Sequence, residues 1–414
     1  MQHISSTTST RPVIDYKNFY NVGPGTLAGR YLRQFWHPVD TSANIAAGRA
    51  KPIKILGEDF TLYRGATGKA HLVAPHCPHR GTQLSTGWIE EDSIRCLYHG
   101  WRFSGSGQCV EQPSGSSEQA ARIKIAAYPT EDYLGLIWAY LGEGEPPAFP
   151  PVPVFEGEGI TESFVEPMGC SYFQSWENDW DDCHLSWTHR RGGIHVGYDM
   201  SSIKFEETDY GIVKRGTKLD GDQRTVVLFQ PATVRLLVPS PNALSYQGAG
   251  PALRDTYIFH TPVDDENHLF IATQQVRLLP GQEEAYKKQY EWYLQQRAQH
   301  RSIKDVGEDI VAGRISIADV LDHPYLVLVE DYAGQVGQGR IANREAERLA
   351  RTDAGVQYLR RLWTRELQEL AEGRQTKRWT VMQNMPGSEA NEQALLNNTG
   401  TGAKTAMDTR AAID

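Results

Sequence analysis

The sequence predicts an α+β protein in two parts, a mostly β first part and a second part in which an antiparallel sheet is accompanied by helices. Three observations predict it. At 414 residues the chain exceeds one ordinary core, so two domains are expected. Short alternating segments dominate as far as residue 141, whereas longer strand-like segments and helical patterns share the remainder. Between them the run G-E-G-E-P-P-A-F-P-P-V-P places five prolines in residues 142–153, too stiff for a helix or central strand, and sets a boundary near residue 150.

Composition narrows the partners. A 40% apolar content supports real cores. A net charge of −9, with no basic stretch interleaved with aromatics, argues against nucleic acid and against an anionic membrane surface. No apolar run approaches spanning length, and the N-terminus lacks a basic region followed by an apolar run. Cys77, Cys96, Cys109, Cys170 and Cys183 are an odd set without a disulfide framework, which fits a reducing cytoplasm.

In chain order, residues 1–17 read as a polar, Ser/Thr-rich arm. A short helical pattern with Leu27, Tyr31, Leu32 and Phe35 follows, ended by Pro38. Strands are expected around Ile53, Ile55, Phe60 and Leu62 with a turn at Gly57 and Glu58, then at Leu72 and Val73, at 123–126 and at 134–141. The first domain is thus 18–150. In the second, 151–387, the segments V-K-R-G-T-K, R-T-V-V-L-F, A-T-V-R-L-L-V, T-Y-I-F-H and H-L-F-I-A-T-Q-Q-V-R-L are spaced like an antiparallel sheet. Three helices are expected near 175–189, 282–300 and 354–372. The middle one carries Tyr286, Tyr290, Tyr293 and Leu294 as a stripe for core packing. The last has Asp353 as N-cap, Val356, Leu359, Trp363 and Leu367 on one face, and Gly373 as its stop. Residues 388–414 form a polar tail without period, suited to disorder or to strapping onto a neighbouring subunit.

Residues 77–99 carry the densest chemistry. Cys77 and His79 make a C-x-H pair, and Cys96 and His99 a C-x-x-H pair, each able to project from one short loop toward a shared centre. Two thiols and two imidazoles satisfy a tetrahedral zinc site. They equally suit a two-iron cluster with thiolates on one iron and imidazoles on the other, which is less negative than an all-thiolate cluster and accepts electrons more easily. Gly81 and Gly100 follow the two His, where the chain folds back close to a cluster without a Cβ in the way. That symmetry, which a zinc finger does not need, favours iron.

A second loaded stretch, Q-S-W-E-N-D-W-D-D-C-H-L-S-W-T-H, covers residues 174–189. His184 and His189 are five residues apart, and five residues turn an ideal helix by about 140°, so both can face one metal only if the helix is overwound or carries a π-bulge. Such a distortion is expected between them. Asp181, one turn before His184, can accept the far ring N–H of that imidazole, while Asp182 and Asp179 lie off that face. A carboxylate completing the ligand set could come from Asp309, Asp319, Asp322, Glu330 or Asp331, and spacing does not choose among them.

The pair C-P-H-R-G and C-L-Y-H-G-W resembles the cluster loops of the Rieske non-heme iron aromatic-ring oxygenases, without the additional Cys per loop of respiratory Rieske subunits. The pattern E-N-x-x-D-x-x-H-x-x-x-x-H, ending in W-T-H, is similar to that family's mononuclear-iron motif and follows the cluster motif in the expected order. Ser171 departs from it, since related chains often carry Asn there. V-L-V-E-D-Y-A-G-Q-V-G-Q-G-R-I-A-N-R-E-A-E-R-L and the N-terminal V-G-P-G-T-x-x-G-R-x-L-R-x-F-W-x-P-V are similar to the phthalate dioxygenase-like branch, so the resemblance runs from about residue 18 to about residue 372. It implies a Rieske two-iron two-sulfur cluster on Cys77, His79, Cys96 and His99, and mononuclear Fe(II) on His184, His189 and Asp331, with Glu330 facing solvent. It also implies a helix-grip, START-like catalytic domain with a curved sheet over a long helix. Asp181 would link the iron to the cluster of an adjacent subunit in a homotrimer or stacked trimers. The implied activity is hydroxylation of an aromatic substrate, an aromatic carboxylate in particular, using dioxygen and electrons that reach the chain from NAD(P)H through a flavin and ferredoxin-type reductase. Oxidative demethylation or monooxygenation of an ether, amine or sulfonate is the alternative within catalysis, and a Rieske electron carrier the non-enzymatic one. Arg190, Arg191, Arg215 and Arg235 are candidates to neutralise a substrate carboxylate, with solvated or salt-bridged guanidinium groups as the plainer reading.

Overall fold

The computed structural model describes residues 15–151, 159–191, 202–217, 223–229, 232–237, 252–278, 281 and 283–380. Four antiparallel sheets and eight α-helices form among these residues. The fold class is the α+β arrangement expected, and its sheets are open rather than closed into a barrel.

The first part holds three small sheets. One runs in the order Arg49–Ile55, Glu58–Arg64, Ala70–Val73, Ala127–Tyr128 and buries Phe60, Leu62 and Leu72. Its first hairpin turns at Leu56 and Gly57, one residue earlier than expected, both with positive φ, as a tight two-residue hairpin turn requires. A second joins Trp36–Thr41, Leu136–Tyr140 and Thr130–Tyr133. The third, Trp88–Glu90, Ser93–Arg95, Arg102–Ser104 and Cys109–Glu111, carries one of the two Cys/His loops. The helices here are α1 (Leu27–Leu32) and α2 (Ser117–Ala121), the latter opened by a capping box between Ser116 and Gln119. The strand expected over 123–126 is reduced to one bridge from Lys124 to Gln108, with pairing resuming at Ala127, because the preceding residues are committed to α2.

The second part is built on a seven-stranded sheet ordered Ile160–Met168, His268–Leu278, Ala252–Pro262, Ala232–Leu237, Gln223–Phe229, Ile212–Thr217, Lys204–Glu207. The five expected segments are its interior strands, and the two edge strands are additional. In place of the single helix expected over 175–189 there are two, α3 (Tyr172–Trp180) and α4 (Cys183–Trp187), followed by a 3₁₀ turn, Thr188–Arg190. α5 (Glu283–Gln299) and α8 (Ala354–Ala371) match the other two helices expected. Two more, α6 (Ile303–Val311) and α7 (Leu326–Val336), were not anticipated. The α5 stripe is only partly core, since Tyr286 is buried, Tyr290 half-buried and Leu294 exposed; the Tyr293 side chain lies outside the described structure.

One hydrophobic core spans both parts. Tyr31, Leu62 and Ile137 from the first share it with Phe173, Trp176, Leu359 and Trp363 from the second. Trp363 on α8 meets Tyr31 and Phe173 edge-on, at ring-centroid separations of 5.1 and 5.3 Å. The face Val356, Leu359, Trp363, Leu367 is buried as its period requires, and Gly373 ends the helix near φ 71°. Asp353 occupies the N-cap position, but its carboxylate accepts from the Ala350 N–H instead of capping α8. α3 is thereby clamped between the core and the sheet, which fixes the segment after it. None of the described helices is long and apolar enough to cross a membrane. The tail from residue 388 lies outside the described residues.

Candidate active site

The two Cys/His loops are near copies of each other. The first closes between the bridge partners His76 and Gln83, the second between Arg95 and Arg102. In each, the Cys N–H donates to the carbonyl five residues on, Cys77 to Thr82 and Cys96 to Trp101, both at 2.8 Å. The N–H of the glycine four residues on donates back to the Cys carbonyl, Gly81 at 2.9 Å and Gly100 at 3.1 Å. That return needs a left-handed residue, and the glycines take φ of 74° and 75°. Backbone handedness is thus a reason for glycine here in addition to clearance for a cluster. A Cβ on Gly81 would meet no other protein atom within 4 Å, while on Gly100 a Cβ would also press on Pro113.

Cys77 and Cys96 are buried, whereas the imidazoles of His79 and His99 are at the surface with ring centroids 4.5 Å apart. Burial first, and then the neighbouring Cys96, push the Cys77 thiol up to about 11. Arg95 braces the second loop, donating to the Gly100 carbonyl at 2.7 Å while bridging Glu90 and Glu111. The donor set and the paired loops fit a two-iron cluster with its thiolate end inside and its imidazole end outside.

The second centre begins where α3 stops. Asp181 leaves the helix with φ −92° and ψ 121°, and its carboxylate accepts from the Cys183 N–H at 2.7 Å and the His184 N–H at 3.3 Å. An Asp that satisfies the backbone donors two and three residues on ends one helix and starts another. After α4 the chain passes into the 3₁₀ turn carrying His189, so the regular α-helix is interrupted between the two imidazoles, as expected. His184, His189 and Asp331 then converge, with ligand-capable atoms all within 4.8 Å of one another. Asp331 Oδ1 lies 3.9 Å from His184 Nε2 and 3.4 Å from His189 Nε2. It also accepts from the Asn178 amide at 3.2 Å.

Asp331 comes from α7, a helix the sequence reading did not contain. Its apolar run L-V-L-V is as compatible with a strand as with a helix, which hid it. The signal for α6 was readable, since Ser302 caps the helix and Ile303 and Val306 are buried one turn apart. Gly307 of α6 lies so close to the Tyr332 ring that any Cβ would overlap it, and this close approach sets α7 and hence Asp331. The other acids considered are engaged elsewhere or exposed. Asp309 pairs with Arg301 and Arg314, Asp319 caps the turn at Ser316, and Asp322 is at the surface.

Glu330 corrects the expectation that it faces solvent. It is buried, and its Oε2 lies 3.0 Å from His189 Nδ1. A carboxylate accepting at Nδ1 leaves the Nε2 lone pair turned to the centre. Burial alone would lower His189, but Asp331 and then Glu330 outweigh it and raise the imidazole to about 9. Asp181 Oδ2 is 3.6 Å from His184 Nδ1, near but beyond hydrogen-bonding reach, and that nitrogen has no hydrogen-bond partner among the described residues. Asp182 and Asp179 do lie off this face. Asp182 meets the buried Lys214 at 3.1 Å, and Asp179 Oδ2 meets His260 Nε2 at 2.9 Å. Sequence reasoning missed Lys214 and His260 and misplaced Glu330, because the partners of all three are distant in the chain. Arg190 and Arg191 are exposed, and Arg215 is exposed in a pair with Glu206. The Arg235 side chain lies outside the described structure.

Residues 35–129 match the Rieske 2Fe-2S domain. Over nearly its whole length the chain is 30% identical to the phenoxybenzoate dioxygenase subunit alpha of Ectopseudomonas oleovorans, across 396 residues, 90% of this chain and 89% of the relative. The chain belongs to the Rieske oxygenases. It is an oxidoreductase, the terminal oxygenase component of such a system, and its Rieske domain carries a two-iron two-sulfur cluster. A second relative, the 5,5'-dehydrodivanillate O-demethylase oxygenase subunit of Sphingobium sp. (strain NBRC 103272 / SYK-6), is 29% identical over 371 residues, 86% of this chain and 80% of the relative. Among solved structures, the fluorene-bound oxygenase and ferredoxin complex of carbazole 1,9a-dioxygenase shares the fold, with a TM-score of 0.58 at 18% identity, covering 85% of this chain and 94% of that one.

Proposed function

We propose that this Rieske oxygenase hydroxylates an aromatic substrate, with Cys77, His79, Cys96 and His99 as cluster ligands and His184, His189 and Asp331 as ligands of a mononuclear iron. The observation that carries this is the convergence of two imidazoles and one carboxylate from two separate helical segments. When bound, a ferrous ion on such a triad keeps open positions for dioxygen, and the Rieske cluster supplies single electrons. The chain's own residues prepare the site. Glu330 holds the His189 tautomer, Asn178 orients the Asp331 carboxylate, and α7 keeps one side of the centre in protein. Asp181, partly exposed and beside His184, is the link to a second copy, whose exposed His79 and His99 present the imidazole edge of its cluster. This arrangement calls for a homotrimer or stacked trimers.

Electrons come from NAD(P)H through a flavin and ferredoxin-type reductase, a reading supported by the ferredoxin complex of the carbazole relative. Relatives named for phenoxybenzoate and dehydrodivanillate support an aromatic substrate. Because one is a dioxygenase and the other an O-demethylase, one-atom insertion with loss of a methyl group is the second reading. The test is reductase-dependent oxygen uptake with benzoate, phthalate and methoxybenzoate analogues, on protein assayed for iron and sulfide, with labelled dioxygen to count inserted atoms. Uptake coupled to a hydroxylated or demethylated product is expected. A filled cluster with no iron beyond it and no uptake would leave only an electron carrier.

A further inference from the structure

Three acids, Asp179, Asp181 and Asp182, crowd the break between α3 and α4, and the fold sorts them. Asp179 turns inward to His260 and Asp182 inward to Lys214, while Asp181 faces the first N–H groups of α4 and stands beside His184. A helix that stops at Trp180 leaves its last carbonyls without partners inside the helix. Those of Glu177 and Asn178 accept from the Asp181 N–H, and that of Asp179 accepts from the Lys214 ammonium at 2.9 Å. The same ammonium meets the Asp182 carboxylate at 3.1 Å, and both side chains are buried, where an ion pair is little screened. Asp182 immediately precedes α4, yet its side chain makes no capping bond, and the Cys183 and His184 N–H groups go to Asp181 instead. Lys214 therefore ties the end of one helix to the start of the next, across the residue between them. Its surroundings hold the same segment. Phe205, directly opposite Lys214 in the sheet, stacks on the Trp180 ring at a centroid separation of 5.7 Å. Gly355 of α8 comes so close to the Trp180 carbonyl that any Cβ would overlap it.

We propose that Lys214 is a positioning residue for Asp181. By joining the Asp179 carbonyl to the Asp182 carboxylate it fixes the bend at which the Asp181 carboxylate meets the α4 N–H groups, and so holds the link to a second copy in its place beside His184. The proposal rests on reading Asp181 as that link. Lysine suits the task because one buried atom must donate in two directions at once, and an ammonium carries three protons. An apolar residue at 214 would take the donor from the Asp179 carbonyl and the cation from the buried Asp182 carboxylate together, and either loss favours a shift of the segment. Any such shift moves Asp181, the residue between the two anchors, before it moves the core on which α3 packs.

The test measures amide hydrogen exchange and turnover on the full chain with cluster and iron loaded. It compares Lys214→Met with the double variant Lys214→Met and Asp182→Asn, which removes the carboxylate charge together with its cation and so keeps a folded protein in hand. Exchange at Cys183 and His184 should rise about fivefold or more in both, the size of one lost helix cap, with residues 27–141 unchanged. In oxygen uptake with the benzoate, phthalate and methoxybenzoate analogues, kcat should fall about tenfold or more while substrate KM stays within about twofold. Because Lys214 acts through Asp181, adding Lys214→Met to Asp181→Ala should change either readout by less than about twofold. Unchanged exchange at Cys183 and His184 in the folded double variant, an effect that adds in full to that of Asp181→Ala, or acceleration spread evenly over the seven-stranded sheet would each overturn the proposal. If it fails while iron binding and oxygen uptake are normal, the oxygenase reading stands. If exchange responds as expected but the wild-type chain binds no iron beyond the cluster and takes up no oxygen, it is that reading that falls.

Discussion

The two centres of this chain are built by opposite means. The Cys/His loops are local: six residues between bridge partners, with the same pair of backbone hydrogen bonds in each. The His184, His189 and Asp331 group is assembled at a distance, its two imidazoles on a broken helix and its carboxylate on α7. A local centre needs only its own turns and a sheet beneath it. An assembled centre needs the packing of α6 on α7 and of α3 on the core to deliver each ligand. This difference predicts where each can be broken.

The largest effect should come from the residues proposed as iron ligands. His184→Ala, His189→Ala or Asp331→Ala should each empty the triad of iron and reduce oxygen uptake to background, while the red-brown cluster absorption stays. Metal analysis beside the visible spectrum checks this. Loss of both centres in a single variant would mean that the two are not built independently.

Asp181→Ala comes next. With both metals retained, turnover should fall by at least about a hundredfold, the upper end of what residues behind metal ligands usually contribute. Because its carboxylate also accepts from the Cys183 and His184 N–H groups, the variant removes a cap worth about 1 kcal/mol, and a modest fall in melting temperature should accompany it. Asp181→Asn keeps an acceptor for those N–H groups and separates the roles. Full coupled activity in both variants would remove Asp181 from the path between subunits.

How much of this was legible in the sequence follows the same division. The cluster motif could be read residue by residue, because spacing within one loop determines geometry within that loop. The antiparallel sheet was legible too, since period-2 alternation survives along its interior strands. The distortion at His189 followed from the helical angle alone, but the break at Asp181 did not, because it depends on which backbone N–H groups the carboxylate finds. Asp331 could be chosen only by resemblance, as nothing local marks one acid among five. Glu330 was misread because the side of α7 that packs inward depends on α6 and Gly307, a tertiary fact.

Glu330 therefore offers a graded test. Glu330→Gln keeps a group that can accept from His189 Nδ1 but removes the charge, and should weaken iron affinity by about tenfold, within the range for such partners. Glu330→Leu should cost more, toward about a hundredfold, and neither should change the cluster spectrum. Chelator competition at fixed pH reads both. An unchanged affinity in Glu330→Leu would mean that the His189 orientation is set by packing alone.

The smallest expected effects lie in the local centre, where the two loops can be set against each other. Gly81→Ala places a Cβ clear of other protein atoms but at φ 74°, and the left-handed conformation costs an L-residue about 1–2 kcal/mol. Gly100→Ala carries the same penalty at φ 75°, and its Cβ would also stand 2.9 Å from Pro113 Cγ. A proline ring has no flexible end to swing away, so the second loop or the segment at Pro113 must shift. Gly100→Ala should thus be the more destabilising of the two, and cluster absorption should be lost faster from it than from Gly81→Ala on mild heating, with iron in the triad unaffected in both. Equal losses would show that handedness alone governs both loops and that Pro113 yields freely. A greater loss from Gly81→Ala would break the symmetry on which the local description of this centre depends.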